Sequence, residues 1–169
     1  MRSRHRIWAY GDHVNTDVIF PGKFTYSVQH DPAALASHAL EDLDPTFASS
    51  VRLGDVIVAG RNWGNGSSRE QAVTCLLACG LRAIIAESFA RIYYRNAINN
   101  GLLALTCPGV SVLAQTGLEL ALDLEAGELE IGGQTLQFAP LPPSVRHIVA
   151  AGGLISYLQA GAGKQEGGG

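Results

Sequence analysis

Long apolar runs are missing from this chain of 169 residues. No stretch approaches the roughly 20 residues that a membrane-spanning helix requires, so no membrane association is expected. A long basic block is missing as well. The net charge is −3, which argues against the electrostatic footprint of a nucleic-acid binder. Met1-Arg2-Ser3-Arg4-His5-Arg6 is basic, but no apolar stretch or small-residue cleavage pattern follows it, so no signal peptide is expected. Charged residues reach only 16% against 47% apolar. That balance argues against a disordered chain and fits one packed domain.

Cysteine is scarce. Cys75, Cys79 and Cys107 form an odd set with apolar neighbours, as expected for free thiols in a reducing, cytoplasmic compartment. Cys75 and Cys79 are spaced to share a helix face, a geometry open to a metal pair or part of a cluster. The C-x₂-C-x₂-C run of bacterial iron–sulfur proteins is absent. The expectation is buried packing, with no metal on this chain.

Strand, helix and turn signals alternate along the chain. Arg6 to Tyr10 reads as a strand, followed by a loop through His13-Val14-Asn15-Thr16-Asp17. Asp31-Pro32 starts a helix, with the acid as N-cap and proline at the first position, continuing from Ala33 to Leu40. Val56 to Ala59, Leu81 to Ala86 and Leu102 to Thr106 read as strands. Between them, Ser68 to Cys79 and Phe89 to Asn99 read as helices, the second with Ser88 as its cap. This alternation predicts crossover units and a parallel sheet. Leu118 to Leu124 and Leu129 to Phe138, around Gly127 and Gly132-Gly133, read as short antiparallel strands. A helical stretch from Val145 to Leu158 is interrupted at Gly152-Gly153. The expected organisation is one α/β domain over 1–160 and a flexible tail over 161–169.

The densest chemistry lies in Gly64-Asn65-Gly66-Ser67-Ser68-Arg69-Glu70, between a predicted strand and a predicted helix. Gly64 and Gly66 permit positive φ and close approach of a ligand to the backbone. Ser67 and Ser68 fall where a helix start exposes unpaired N–H groups, a setting that favours an anion. Several such donors and a cation make a serine alkoxide accessible. Arg69 offers a fork to a carboxylate. The structural alternative is a capping box, with Ser67 as N-cap and Glu70 three residues on. It explains those two residues, but not two glycines, a second serine and an arginine. The lysine of a phosphate-binding P-loop is missing after Gly66, and the three-glycine dinucleotide fingerprint is missing too.

Two further segments stand out. Asn15-Thr16-Asp17 places a carboxylate in an early loop, where it can orient Arg69 or simply form an Asx-type turn. Lys23, Tyr26 and His30 follow on a polar loop. Ser88 to Asn96 reads as an aromatic helix face on the sheet, with Arg91 and Arg95 pairing at the surface. Asn96 and Asn99 would make backbone hydrogen bonds, and Trp8 and Trp63 would serve packing.

Taken in order, three segments resemble the small subunits of isopropylmalate dehydratases in the aconitase superfamily. They are Asp12-x-Val14-Asn15-Thr16-Asp17-Val18-Ile19 with Pro21-Gly22-Lys23-Phe24, then Gly64 to Ala72, then Ser88 to Ile92 with Arg95-Asn96-x-x-Asn99-Asn100-Gly101-Leu102. The resemblance covers about residues 5 to 155 and implies the swivelling β/β/α domain: three layers, a parallel sheet core and short antiparallel strands. It implies a hydro-lyase that moves a hydroxyl between adjacent carbons, in leucine biosynthesis. Ser67 would be the proton-abstracting base. Ser68 and Arg69 would bind a substrate carboxylate, with Lys23, Thr25 and Tyr26 near the substrate. Asp17, Gly64 and Gly66 would support the site. The resemblance further implies a large-subunit partner that carries a [4Fe–4S] cluster, whose iron acts as Lewis acid on the departing hydroxyl.

One departure bears on the substrate. Relatives that act on a third carboxylate carry an arginine in the loop where this chain has Phe24-Thr25-Tyr26-Ser27. A buried carboxylate without a cation is costly, so the resemblance implies an apolar or small variable group such as isopropyl. A related 2,3-dimethylmalate or homoaconitate subunit, a stand-alone dicarboxylate-binding regulatory domain, and self-association of the isolated chain stay open.

Overall fold

The computed structural model describes residues 2–166. Its strands are β1 (Ser3–Ala9), β2 (Val56–Ala59), β3 (Ala83–Ala86), β4 (Leu103–Thr106), β5 (Glu119–Asp123), β6 (Glu128–Ile131) and β7 (Gln134–Gln137). Their order is β4-β3-β2-β1-β5-β6-β7. From β4 to β1 all neighbours are parallel, and from β1 to β7 all are antiparallel. Strand β1 belongs to both halves: Ser3 to Arg6 pair with β5, and Ile7 to Ala9 pair with β2.

Residue patterning explains the layers. Every residue of β2 and β3 is buried, as a strand covered on both faces must be. Ile57 and Ile84 face one core with helices α3 (Pro32–His38), α5 (Gln71–Ala78) and α6 (Arg91–Asn99), through Leu35, Cys75, Leu76 and Ile98. Val56, Val58 and Ile85 face a second core, where Leu120, Leu122, Leu129 and Ile131 of the antiparallel half join them. Helix, parallel sheet and antiparallel sheet therefore stack as the expected three layers. The antiparallel strands alternate buried and open positions, as one-sided strands do. Gly132 and Gly133, both at positive φ, close the β6–β7 hairpin.

Several boundaries differ from the expectation, each for a local reason. Helix α5 starts at Gln71, because Ser67 to Arg69 remain in the turn that Gly66 bends at φ +105°. The expected capping box is therefore absent: Glu70 occupies the cap position and its side chain caps nothing. Ser88 does not cap α6; its hydroxyl accepts from the Asn62 amide at 2.9 Å instead. The loop expected at 13–17 closes into a one-turn helix, α1 (Thr16–Ile19), capped by Asn15 through the Val18 amide at 2.9 Å. Residues 22–28 form a 3₁₀ turn and the single-turn α2 (Thr25–Val28), not an open loop. Two more single turns, α4 (Phe47–Ser50) and α7 (Val110–Leu113), bury Phe47 and Val110. Near the C-terminus, α8 (Pro143–Ala150) and α9 (Leu154–Glu166) are separated at Gly152-Gly153, as expected. Helix α9 runs on through 161–166 of the segment expected as a tail. The last part of that segment, 167–169, lies outside the described residues.

Asp55 ties the first strand to the second. Its buried Oδ2 accepts from Arg6 Nη2 at 2.6 Å, Trp8 Nε1 at 2.9 Å and the Arg52 amide at 2.9 Å. Burial pushes this carboxyl up, but the three donors outweigh burial and hold it below the usual carboxylate range. A depressed carboxyl stabilises the fold above the unfolded-chain value, and that stability is lost as pH falls through the folded value. The Asp55 contribution is therefore complete at neutral pH and is lost below about pH 4. Asp55→Asn should lower stability at pH 7 by about 2–3 kcal/mol and flatten the acid limb of urea-unfolding midpoints against pH.

Candidate active site

The loops after β1, β2 and β3 meet outside the carboxyl ends of the parallel strands, where open α/β sheets place their ligands. Backbone bonds zip them together. The His13 amide donates to Arg61 O at 2.8 Å, the Gly64 amide to Val14 O at 2.8 Å, and the Thr16 amide to Asn65 O at 2.9 Å. On the other side the Trp63 amide donates to Ser88 O at 3.1 Å, and the Ala90 amide to Trp63 O at 2.9 Å. The glycine-rich turn is thus clamped between two neighbouring loops.

Aromatic packing fixes the base of that turn. Trp63 is fully buried and meets Tyr93 edge to face at 6.4 Å. Gly64 has φ +82°, and a Cβ there would lie 2.1 Å from Tyr93 Cγ, so only glycine fits. The Tyr93 hydroxyl donates to Ala72 O at 2.8 Å and joins α6 to α5.

The consequence is an exposed serine pair on a rigid floor. Ser67 and Ser68 are exposed, and the Ser67 hydroxyl lies 3.5 Å from that of buried Thr16. Among the described residues, the amides of Ser67, Ser68 and Glu70 donate to no protein acceptor. Ser67 and Ser68 line a cleft of about 320 Å³ together with Thr16, Arg69, Arg91 and Asn96 among others.

Arg69 sits between this cleft and a second one. Its Nη1 forms an ion pair with Asp17 Oδ1 at 2.5 Å, without the alignment of a hydrogen bond, which leaves donor capacity for a ligand. The guanidinium also lies against the Gly22 backbone: a Cβ on Gly22 would stand 2.6 Å from Nη1. The second cleft, about 370 Å³, is lined by Thr25, Tyr26, Gln29, His30, Arg69, Glu70 and Gln71. Ser67, Ser68, Arg69, Gly64 and Gly66 thus line the first cleft, Thr25 and Tyr26 the second, and Asp17 braces Arg69 between them. Lys23 lines neither. Its ammonium folds over the Phe24 ring, 5.1 Å from the centroid.

Thr16, Arg91 and Asn96 enter the site beyond the residues picked from sequence. The expected surface pairing of Arg91 and Arg95 does not occur: among the described residues no ion pair includes either. Arg91 lines the cleft instead, because α6 starts at the rim. Its place directly after the Ser88-Phe89-Ala90 turn was the available signal. The Asn96 side chain, expected on the backbone, also faces the cleft.

The three cysteines do not make a cluster site. Cys75 is fully buried against Ile19 O, while Cys107 lies in the core on the other face of the sheet. Burial pushes the Cys75 thiol well up and the Cys79 thiol up to about 11. Among the described residues no group of acid, histidine or cysteine side chains could hold a metal ion.

Comparison with known proteins gives the family of the chain. The family described as the aconitase C-terminal domain matches residues 45–109. The chain is 43% identical to the 2,3-dimethylmalate dehydratase small subunit of Eubacterium barkeri, over 95% of this chain and 98% of that one. It is 47% identical to the 3-isopropylmalate dehydratase small subunit of Pyrobaculum calidifontis, over 94% and 98%. The crystal structure of a 3-isopropylmalate dehydratase from Methanocaldococcus jannaschii superposes with a TM-score of 0.92 at 42% identity, each chain covered fully. The chain belongs to the family of 3-isopropylmalate dehydratase small subunits.

Two glycines give opposite expectations. Gly64→Ala drives a Cβ into the side chain of buried Tyr93 at a positive φ and should cost more than about 3 kcal/mol in urea unfolding. Gly22→Ala meets the end of the Arg69 side chain. It should leave stability within about 0.5 kcal/mol while displacing the guanidinium, seen as weaker dicarboxylate binding by the assembled enzyme.

Proposed function

We propose that this chain is the small subunit of a two-subunit hydro-lyase that interconverts 2-isopropylmalate and 3-isopropylmalate by dehydration and rehydration. Family membership and the shared architecture support the reaction class. The observation that carries the site is the exposed Ser67 hydroxyl, in a turn whose Ser67 and Ser68 amides are unpaired and which Arg69 continues. We place the chain in a reducing, cytoplasmic compartment on its free thiols; among the described residues no helix is long and apolar enough to cross a membrane.

Ser67 acts as the base. Its oxygen takes the proton from the carbon that bears a carboxylate, as that carbon gains carbanion character. The free amides and the Arg69 charge stabilise the serine as an alkoxide before transfer. Ser68 and Arg69 hold the adjacent carboxylate, the fork aligning it by paired hydrogen bonds. Asp17 holds the guanidinium in place where the two clefts meet. On rehydration the Ser67 hydroxyl returns the proton to carbon.

The aconitase relationship implies an iron–sulfur cluster in the complete enzyme. This chain's thiols do not fit one, so we assign the cluster to the large-subunit partner. Half of the site then lies on each polypeptide, and the isolated chain is inactive.

The second cleft bears on the substrate. Arg69 is its one lysine or arginine among the described residues, Glu70 lines it as well, and Lys23 is turned away. A third carboxylate would find there no lysine or second arginine, only the imidazole of His30, so an apolar side group is favoured over homoaconitate. The kinship with a 2,3-dimethylmalate enzyme keeps a smaller apolar group as the second reading.

The assembled complex should turn over isopropylmalates faster than dimethylmalate or homoaconitate. Ser67→Ala should reduce kcat by about 10³-fold while assembly persists. Arg69→Lys should raise KM about tenfold or more, because an ammonium cannot form the fork. Wild-type turnover by Ser67→Ala would exclude Ser67 as the base.

A further inference from the structure

Gln71 has no part in the chemistry above, yet its side chain is buried and doubly engaged. It is 8% exposed. Its Nε2 donates to Thr25 O and to Gln29 O, each at 2.9 Å. Both hydrogens of one amide are thus spent on the two ends of the same short segment.

That segment cannot hold itself. Helix α2 is a single turn, and one turn does not persist on its own in water. The carbonyls at its C-terminal end depend on donors from outside the turn, as Val28 O does on the Asp31 amide at 3.2 Å. Gln29, which closes it, has φ 52° and ψ −112°, a conformation that side-chain-bearing residues rarely adopt. Such strain persists only where the surroundings impose it. Gln71 bonds the carbonyl of that strained residue.

The clamp also ties the segment to the reacting half of the site. Gln71 begins α5 two residues after Arg69, and Arg69 itself lies against Gly22 at the entry of the same loop. Residues 69–71 therefore grip the loop at both its entry and its exit. Between the grips lie Thr25, whose hydroxyl is buried without a partner, and Tyr26, which is 89% exposed over the second cleft.

We propose that Gln71 is a positioning residue that fixes the register of residues 25–29 against Arg69. Through that register it sets the discrimination between substrate side groups. The inference rests on the functional reading above and adds to it a residue that acts through the loop it holds.

Gln71→Met keeps side-chain length and removes both donors. In the complex with the large subunit, KM for isopropylmalate should rise about tenfold while kcat changes less than about twofold. The preference for isopropyl over methyl side groups should fall about tenfold. Gln71→Glu, similar in shape and without a donor when ionised, should do the same and separates the amide from packing. On the isolated full chain, amide exchange across 24–30 should accelerate about tenfold in either variant, with α5 unchanged. An unchanged preference in a folded variant, or unchanged loop exchange, overturns the proposal. A wild-type complex that turns over no malate derivative refutes the functional reading instead, and loop exchange alone then decides whether Gln71 holds the segment.

Discussion

The guanidinium of Arg69 is held from two sides by a segment that follows a different strand. Asp17 pairs with it from α1, and Gly22, lacking a side chain, lets it rest on the backbone. A positive charge fixed in this way need not reorganise when a carboxylate arrives, which is where preorganised sites gain most. Removing either constraint frees a long side chain with many rotamers, and the charge is then no longer held at one place between the two clefts.

The remaining architecture serves this placement. Fully buried β2 and β3 give a stiff floor, and Trp63 with Tyr93 pins the turn that follows β2. Exposed Ser67 and its free amides sit above that floor. Such a turn leaves backbone donors unpaired, a local cost that persists because neighbouring loops bond the rest of the segment on both sides. Fold stability and site geometry thus draw on the same contacts, as Gly64 shows.

Much of this was legible in the residues. The alternation of apolar strands and helices gave the parallel half, and Gly132-Gly133 marked the terminal hairpin. The motif at 64–70 marked the site, and Asp17 was seen as a partner for Arg69. Single-turn helices such as α1 and α2 were not legible, since four residues carry no periodicity and depend on tertiary bonds from Asn65 and Gln71. Ser67 and Glu70 spelled a capping box, but the strong bend at Gly66 moved the helix start past them. Lys23 faced the substrate loop in sequence, yet its charge prefers the Phe24 ring. Arg91 resembled a surface cation because only the third dimension brings the start of α6 to the cleft.

The proposed division, with the base on this chain and the metal on its partner, would keep each half inert until assembly. The direct measurement is a structure of the assembled complex with an unreactive dicarboxylate analogue. The account predicts Ser67 Oγ within about 3.5 Å of the carbon that loses its proton, with Arg69 forked onto the neighbouring carboxylate. An analogue seated away from Ser67, with another side chain at that carbon, would contradict it.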